Sequence, residues 1–309
     1  MSVGGIYNLN GILNIYKPEG LSSNYIVQKI KKKFHISKVG HGGTLDPFAV
    51  GVLPIFINRS TKLDTYMHLL NKDYIACLKL GAATNTGDYT GKIVKTAPVP
   101  FVNECKINNV LKNFIGEINQ VPPAFSAKKV KGKRAYSLAR NGEDISLKPI
   151  TTYINSCKLL YYNKNEIFIK VTCGSGTYIR TLCEDIAKSL DTVGYTASLE
   201  RTRYGPLEKS NAICFDDLYN NNICSISKFL LPPDFILYNY PMIIIDEGAL
   251  KEVLNGVEIT KEKIINIYGI INENNIIRVY EINYKFIGIG IFHNNKIKMK
   301  SLIHIERNN

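Results

Sequence analysis

Gly40-His41-Gly42-Gly43-Thr44-Leu45-Asp46-Pro47 is the stretch on which the reading of this chain turns. Glycines open it and an apolar run reaching Ile57 follows it, so the carboxylate of Asp46 stands where an ionised group needs a partner or a purpose. Two readings of Asp46 are open from the local sequence. Asp followed by Pro is a good helix N-cap with proline at the first helical position. Alternatively, the glycines let backbone approach a ligand closely and the carboxylate serves that ligand, although the same glycines also suit a tight turn. Nucleotide loops do not fit. No Gly-Lys-Ser/Thr follows His41-Gly42-Gly43, and after Gly174-Ser175-Gly176 a dinucleotide fingerprint wants glycine where Ile179 stands.

Working outward, Ser22-Ser23-Asn24 offers N-caps for a helix with Ile26, Ile30 and Phe34 on one face and Lys29, Lys31, Lys32 and Lys33 crowding the rest. Those lysines read equally as a solvated face or as phosphate contacts. Lys72-Asp73-Tyr74 leads into a strand over residues 75–80, followed by a turn-rich stretch from Gly81 to Gly91. Ile107, Val110, Leu111 and Phe114 form a helical stripe. Ile167, Ile169, Val171 and Cys173 alternate as a strand; Gly174-Ser175-Gly176 then turns the chain, and Thr177 is positioned to cap a helix carrying Ile179, Leu182, Ile186 and Leu190. Residues 122–149 differ in kind: Lys128, Lys129, Lys131, Lys133, Arg134 and Arg140 surround Tyr136, which predicts a basic insertion with a short helix. Beyond Pro232-Pro233, Ile-rich runs alternate with Asn-rich turns such as Asn272-Glu273-Asn274-Asn275, predicting a small β-rich domain. The chain is thus expected to be α+β, with a large mixed-sheet domain over residues 1–235 and a small one over 241–309.

The 309 residues carry 39 Lys+Arg against 26 Asp+Glu, a formal charge of +13, which favours a polyanionic partner. Nucleic acid and a membrane surface both meet that description. The most apolar stretch, Phe229 to Ile245, is interrupted by Pro232, Pro233, Asp234, Asn239 and Pro241, so no membrane span is expected. The first residues lack a charged start and an apolar signal core, and a cytoplasmic protein is the expectation. Seven scattered cysteines without Cys-x-x-Cys suggest neither a disulfide framework nor a zinc site, and are expected to be small buried residues. The five histidines form no ligand-like pair, so no metal is expected.

In ordered blocks, the chain resembles the bacterial TruB family of tRNA pseudouridine synthases across nearly its whole length. The blocks are Gly11-Ile12-Leu13 with Lys17-Pro18-Glu19-Gly20-Leu21-Ser22-Ser23; the opening stretch with Gly51-Val52-Leu53-Pro54; Leu80-Gly81 with Thr84 and Asp88; Pro122-Pro123-Ala124-Phe125-Ser126-Ala127; Gly132-Lys133-Arg134-Ala135-Tyr136; Gly176-Thr177-Tyr178-Ile179-Arg180; and Leu199-Glu200-Arg201-Thr202-Arg203. The Gly-His-x-Gly-Thr-Leu-Asp-Pro element is the most specific. The chain departs from the pattern at Gly42, where threonine is common, at Asn85, where aspartate is common, and at Glu200, where arginine is common. Glu200 bears on RNA affinity more than on chemistry.

The resemblance implies a pseudouridine synthase domain with a basic insertion, a PUA-like C-terminal domain, and conversion of uridine 55 in the T loop of tRNA to pseudouridine without a cofactor. It makes Asp46 the catalytic carboxylate, which attacks the anomeric carbon, stabilises charge there or abstracts a ribose proton; these routes stay open. Arg180 is implied as its ion-pair partner, lowering its pKa, and Tyr74 as the stacking tyrosine that also moves a proton. Tyr178 and Leu199 would line the uridine pocket, and His41 would enter the RNA loop. Lys17-Pro18 would brace the catalytic loop. The basic segment would close over the T arm. Considered without the resemblance, Arg180 reads as a solvated helix residue and Tyr74 as one more strand aromatic. Two rival readings are a non-catalytic RNA-binding protein and a relative that works within a guide-RNA complex; the basic insertion and the match to the stand-alone bacterial pattern favour action without a protein partner, no membrane is expected, and the lack of an obvious assembly motif predicts a monomer.

Overall fold

A computed structural model describes residues 9–123, 125, 128–130, 133–134, 147–220 and 223–304. The site is built on one long mixed sheet. Its strands run in the spatial order Ile213–Cys214, Gly11–Lys17, Val50–Ile57, Gly194–Tyr204, Lys72–Leu80, Glu166–Cys173, Ile150–Tyr162 and Gly116–Gln120. Ile213–Cys214 with Gly11–Lys17, and Val50–Ile57 with Gly194–Tyr204, pair parallel; the remaining neighbours in that order are antiparallel.

Alternation along Val50–Ile57 explains why this strand is central. Leu53, Ile55 and Ile57 point into a core shared with the helices Ser23–Lys33, Glu104–Lys112 and Ile179–Ser189, whereas Val52 and Phe56 point into a second core on the opposite face. A strand covered on both faces reads as a near-continuous apolar run. Helix Ser23–Lys33 starts where the sequence predicts: the Ser22 hydroxyl accepts from the Tyr25 N–H, and Ile26, Val27 and Ile30 are buried. Each such Ile or Val contributes about 1.5–3 kcal/mol of burial.

Helix Ile179–Ser189 also forms, but Thr177 does not cap it. The Thr177 hydroxyl donates to the Gly174 carbonyl (3.1 Å) and meets the Thr152 hydroxyl at 2.5 Å. The buried side chain of Gln120 holds the helix start instead, accepting from the Tyr178 N–H at 2.9 Å and donating to the Tyr178 carbonyl at 3.2 Å.

The C-terminal part forms a six-stranded sheet in the order Ile259–Thr260, Lys296–Leu302, Phe286–His293, Ile276–Glu281, Met242–Ile245 and Ile264–Tyr268, with helix Glu247–Leu254 against it. Asn274, Asn294 and Asn295 take positive φ in its turns, the conformation asparagine tolerates best among residues with a side chain. Tyr280, Phe286 and Ile289 of this sheet share a core with Ile12, Val52 and Phe56 of the large one, so the two domains are packed together.

In the basic segment, Lys129–Val130 and Lys133–Arg134 form a small hairpin; the expected short helix, Lys131 and Arg140 lie outside the described residues. Cys77, Cys157, Cys173 and Cys183 are buried as expected, but Cys105 and Cys214 are exposed, and all six are unbridged. No helix of the described residues is long and apolar enough to cross a membrane.

Candidate active site

Asp46 begins a turn, not a helix. The Ala49 N–H donates to the Asp46 carbonyl at 3.1 Å, Pro47 takes the second turn position that its fixed φ suits, and the chain passes directly into Val50–Ile57. The N-cap reading therefore fails, because β-branched residues and a strand follow where a helix was needed.

Buried hydrogen bonds fix this turn from below. Lys17, fully buried, donates its ammonium to the carbonyls of Pro18 (2.8 Å), Leu21 (2.7 Å) and Pro47 (3.1 Å), and the Gly20 N–H adds a bond to the Pro47 carbonyl. Ser23 donates to the Leu45 carbonyl and accepts from the Leu45 N–H. Burial pulls the Lys17 ammonium down to about 8, against an opposing pull from Asp46. Lys17 braces the loop as expected and touches Asp46 only through the field.

A cleft of about 280 Å³ opens beside the turn, with Asp46, Tyr74, Tyr178, Arg180, Leu199 and Lys128 among its lining. Arg180 is 4% exposed, not a solvated helix residue. Its Nε lies 3.0 Å from Asp46 Oδ2, Nη1 donates to the Thr86 carbonyl at 2.7 Å, and Nη2 donates to the Phe125 carbonyl at 2.8 Å. Nη1 also faces Asp88 Oδ2 at 3.5 Å. The other Asp88 oxygen accepts from the Thr86 and Thr90 hydroxyls and the Thr90 N–H. One guanidinium thus serves two carboxylates and two carbonyls, which fixes its fork in a single orientation.

Arg180 pulls on Asp46 in the expected direction, but burial outweighs it. Burial pushes the Asp46 carboxyl up; Arg180 pulls it down, and Asp88 adds to the push. The net direction is upward, although a third of the Asp46 side chain still faces the cleft. The Tyr74 hydroxyl is likewise raised by burial, with Arg201 pulling the other way.

His41 lies apart from these groups, on the strand Val39–His41 paired with Ile55, and is not part of the cleft lining. The sequence reading assigned no role to Lys72 and Arg201, both buried and both lining the cleft. Alternation was the available signal: Lys72 shares a strand face with Tyr74, Ala76 and Leu78, and a charged residue in register with buried ones faces inward.

Residues 31–179 match the family model described as the TruB family pseudouridylate synthase N-terminal domain. The "tRNA pseudouridine synthase B" of Caldanaerobacter subterraneus subsp. tengcongensis is 36% identical over 298 residues, 96% of this chain and 99% of that one. The protein of the same name from Clostridium kluyveri is 40% identical over 294 residues, 95% and 99% of the two chains. The chain belongs to the TruB family. It is a pseudouridine synthase, an isomerase. Among solved structures, the chain titled "Crystal Structure of a Cbf5-Nop10-Gar1 Complex" shares the fold, with a TM-score of 0.73 at 23% identity over 95% of this chain and 85% of that one.

The departures from the TruB-family pattern are accommodated locally. At Gly42 a Cβ would meet Phe56 at 2.9 Å and Met67 at 3.1 Å, so those side chains occupy the space a threonine would need. Asn85 accepts from the Lys92 N–H and closes its own loop. Glu200 accepts from the Tyr16 hydroxyl at 2.7 Å and pairs with Lys209 at 2.6 Å, so its negative charge is matched within the fold.

Proposed function

We propose that this enzyme isomerises uridine 55 in the T loop of tRNA to pseudouridine, with Asp46 acting on the ribose and without a cofactor. In that reaction the C1′–N1 bond breaks, the base turns, and C1′ rejoins the base at C5. A proton then leaves C5 and N1 gains one, so the step is redox-neutral. The observation that carries the reading is the 3.0 Å pair between Asp46 and the buried Arg180 at the wall of a cleft that Tyr74, Tyr178 and Leu199 also line. Arg180 holds the carboxylate in one orientation and favours its charged form against burial. The names of the relatives, which specify tRNA, support the substrate.

Reaching the glycosidic bond requires the target base to leave its stack, at a cost of a few kcal/mol. Tyr74 offsets about 1–3 kcal/mol of this by stacking on the base, and its hydroxyl relays the C5 proton, passing its own proton on as it takes the new one. Tyr178 and Leu199 enclose the uracil, and His41 contacts the RNA loop outside the cleft. Lys128, which lines the cleft, begins the basic segment that neutralises T-arm phosphates, with Lys129, Lys131, Lys133, Arg134 and Arg140 continuing it. The C-terminal domain from about residue 241 adds a second RNA contact. The enzyme works alone in the cytoplasm, as a monomer. Incubation with unmodified tRNA followed by position-by-position mapping of pseudouridine tests this: modification at 55 is expected, and modification elsewhere alone overturns the substrate assignment.

A further inference from the structure

Two buried cations in the cleft have no task in this scheme. Lys72 is 8% exposed and Arg201 1%, and among the described residues neither has a carboxylate within ion-pair distance. The Lys72 ammonium donates to the Ser175 hydroxyl at 3.1 Å. Arg201 donates through Nε to the Val52 carbonyl at 2.7 Å and through Nη2 to the Gly43 carbonyl at 3.0 Å. Both charges lie over the Tyr204 ring, at 4.7 and 5.1 Å from its centroid, which compensates only part of their desolvation. A buried charge without a counter-ion is costly and is retained where a ligand supplies the missing charge.

Their placement says which part of a bound nucleotide they face. Lys72 precedes Tyr74 by two residues on one strand and so shares its face. Arg201 is the cross-strand partner of Tyr74, with Leu199 next on the same face. They therefore flank the tyrosine on which the base would stack. Lys72, Lys128, Arg180 and Arg201 line the cleft against the single carboxylate of Asp46, so the cleft carries excess positive charge for the substrate to match. Burial, then Arg201, brings Lys72 down to about 8, so it remains charged at neutral pH.

We propose that Lys72 and Arg201 stabilise the uracil anion formed when the glycosidic bond breaks. This rests on the isomerisation proposed above. The C1′–N1 electron pair leaves with the base and spreads over N1, O2 and O4, while the positive charge at C1′ is taken up by bonding to Asp46 or by loss of a ribose proton to it. C5 of the anion then bonds C1′ as the Asp46 oxygen leaves, or as Asp46 returns the ribose proton; the base next loses its C5 proton and gains one at N1, which leaves it neutral and Asp46 a carboxylate again.

The test compares single-turnover consumption of uridine and of 5-fluorouridine at the target position of tRNA, for the wild type, Lys72→Met and Arg201→Gln. Removing one donor to a developing anion costs about 10²–10³-fold, so Lys72→Met is expected to slow uridine by about 10²-fold with nearly unchanged tRNA affinity. The fluorinated base, a more stable anion, should lose at least about tenfold less by the same reasoning. Equal losses for both bases overturn the proposal. So does a loss confined to affinity with a salt slope reduced by about one, which would assign the cations to a backbone phosphate. Urea unfolding checks that Arg201→Gln is folded; if it is not, Lys72→Met decides alone. A wild type that converts neither substrate sinks the isomerase reading and this proposal together, whereas an active wild type with unimpaired variants sinks only this one.

Discussion

Arg180→Met removes the cation that Asp46 and Asp88 share and leaves the Thr86 and Phe125 carbonyls without their donor. Stripping one partner from a buried ion pair costs about 3–5 kcal/mol, and that is the expected loss at pH 7. The two carboxylates do not contribute alike. Asp88 is 4% exposed and keeps its hydrogen bonds from Thr86 and Thr90, so most of the penalty sits there. Adding Asp88→Asn to Arg180→Met should recover about 1–3 kcal/mol, the cost of a stranded buried group. Asp46 faces the cleft and relieves itself by taking up a proton. Its carboxyl is already raised by burial and rises further once Arg180 is gone. A group whose folded pKa is raised contributes stability at low pH and loses it as pH climbs through that value. The gap between wild type and variant should therefore narrow as pH falls from 7 toward 5, and the acid limb of the variant's activity should move to higher pH. Urea unfolding at several pH values measures the first and tritium release from tRNA the second. A loss under about 1 kcal/mol, or a gap independent of pH, refutes the reasoning.

Three other perturbations follow from the same geometry. Lys17 titrates near 8 in the fold against 10.5 when free, so between pH 8 and 9.5 the wild type should gain about 2 kcal/mol of stability relative to Lys17→Met; a constant difference in urea midpoints contradicts this. Tyr74→Ala should weaken tRNA binding by about 1–3 kcal/mol in a titration, whereas Tyr74→Phe should keep the affinity and lose the proton-transfer step; equal affinities for the two variants count against stacking. Gly51 sits at φ +108 with its missing Cβ 2.2 Å from the Arg201 carbonyl, so Gly51→Ala should cost at least about 2 kcal/mol by thermal unfolding, and a neutral result means the strands can separate there.

Legibility differed between elements for physical reasons. The helices around Ile26, Ile107 and Ile179 were readable because each buries one stripe, and period and burial then agree. Val50–Ile57 was harder: covered on both faces, it has no alternation of polarity to show. Asp46-Pro47 carried a helix-start signal that the following strand overrode, since local propensity yields to tertiary pairing. Thr177 failed as a cap because a side chain from a strand 58 residues away, Gln120, took the helix start. At the site, the motif blocks found Asp46, Tyr178, Arg180 and Leu199, the family resemblance added Tyr74, and the fold brings all five to one cleft. Lys72 and Arg201 went unread because a lysine or arginine in a basic chain looks solvated until strand register turns it inward. The sign of the Asp46 shift was not readable either, because it balances burial against a partner and burial depends on the whole fold.

The central claim is that Asp46 performs the chemistry. Incubating tRNA that carries tritium on the uracil ring carbon C5 with the wild type and with Asp46→Asn tests it most directly. Replacing the oxygen that faces Arg180 with an amide leaves size and the turn unchanged and removes the charge. The account predicts stoichiometric tritium release by the wild type, none above background by Asp46→Asn, and similar tRNA binding by both. Equal release by the two proteins would contradict it.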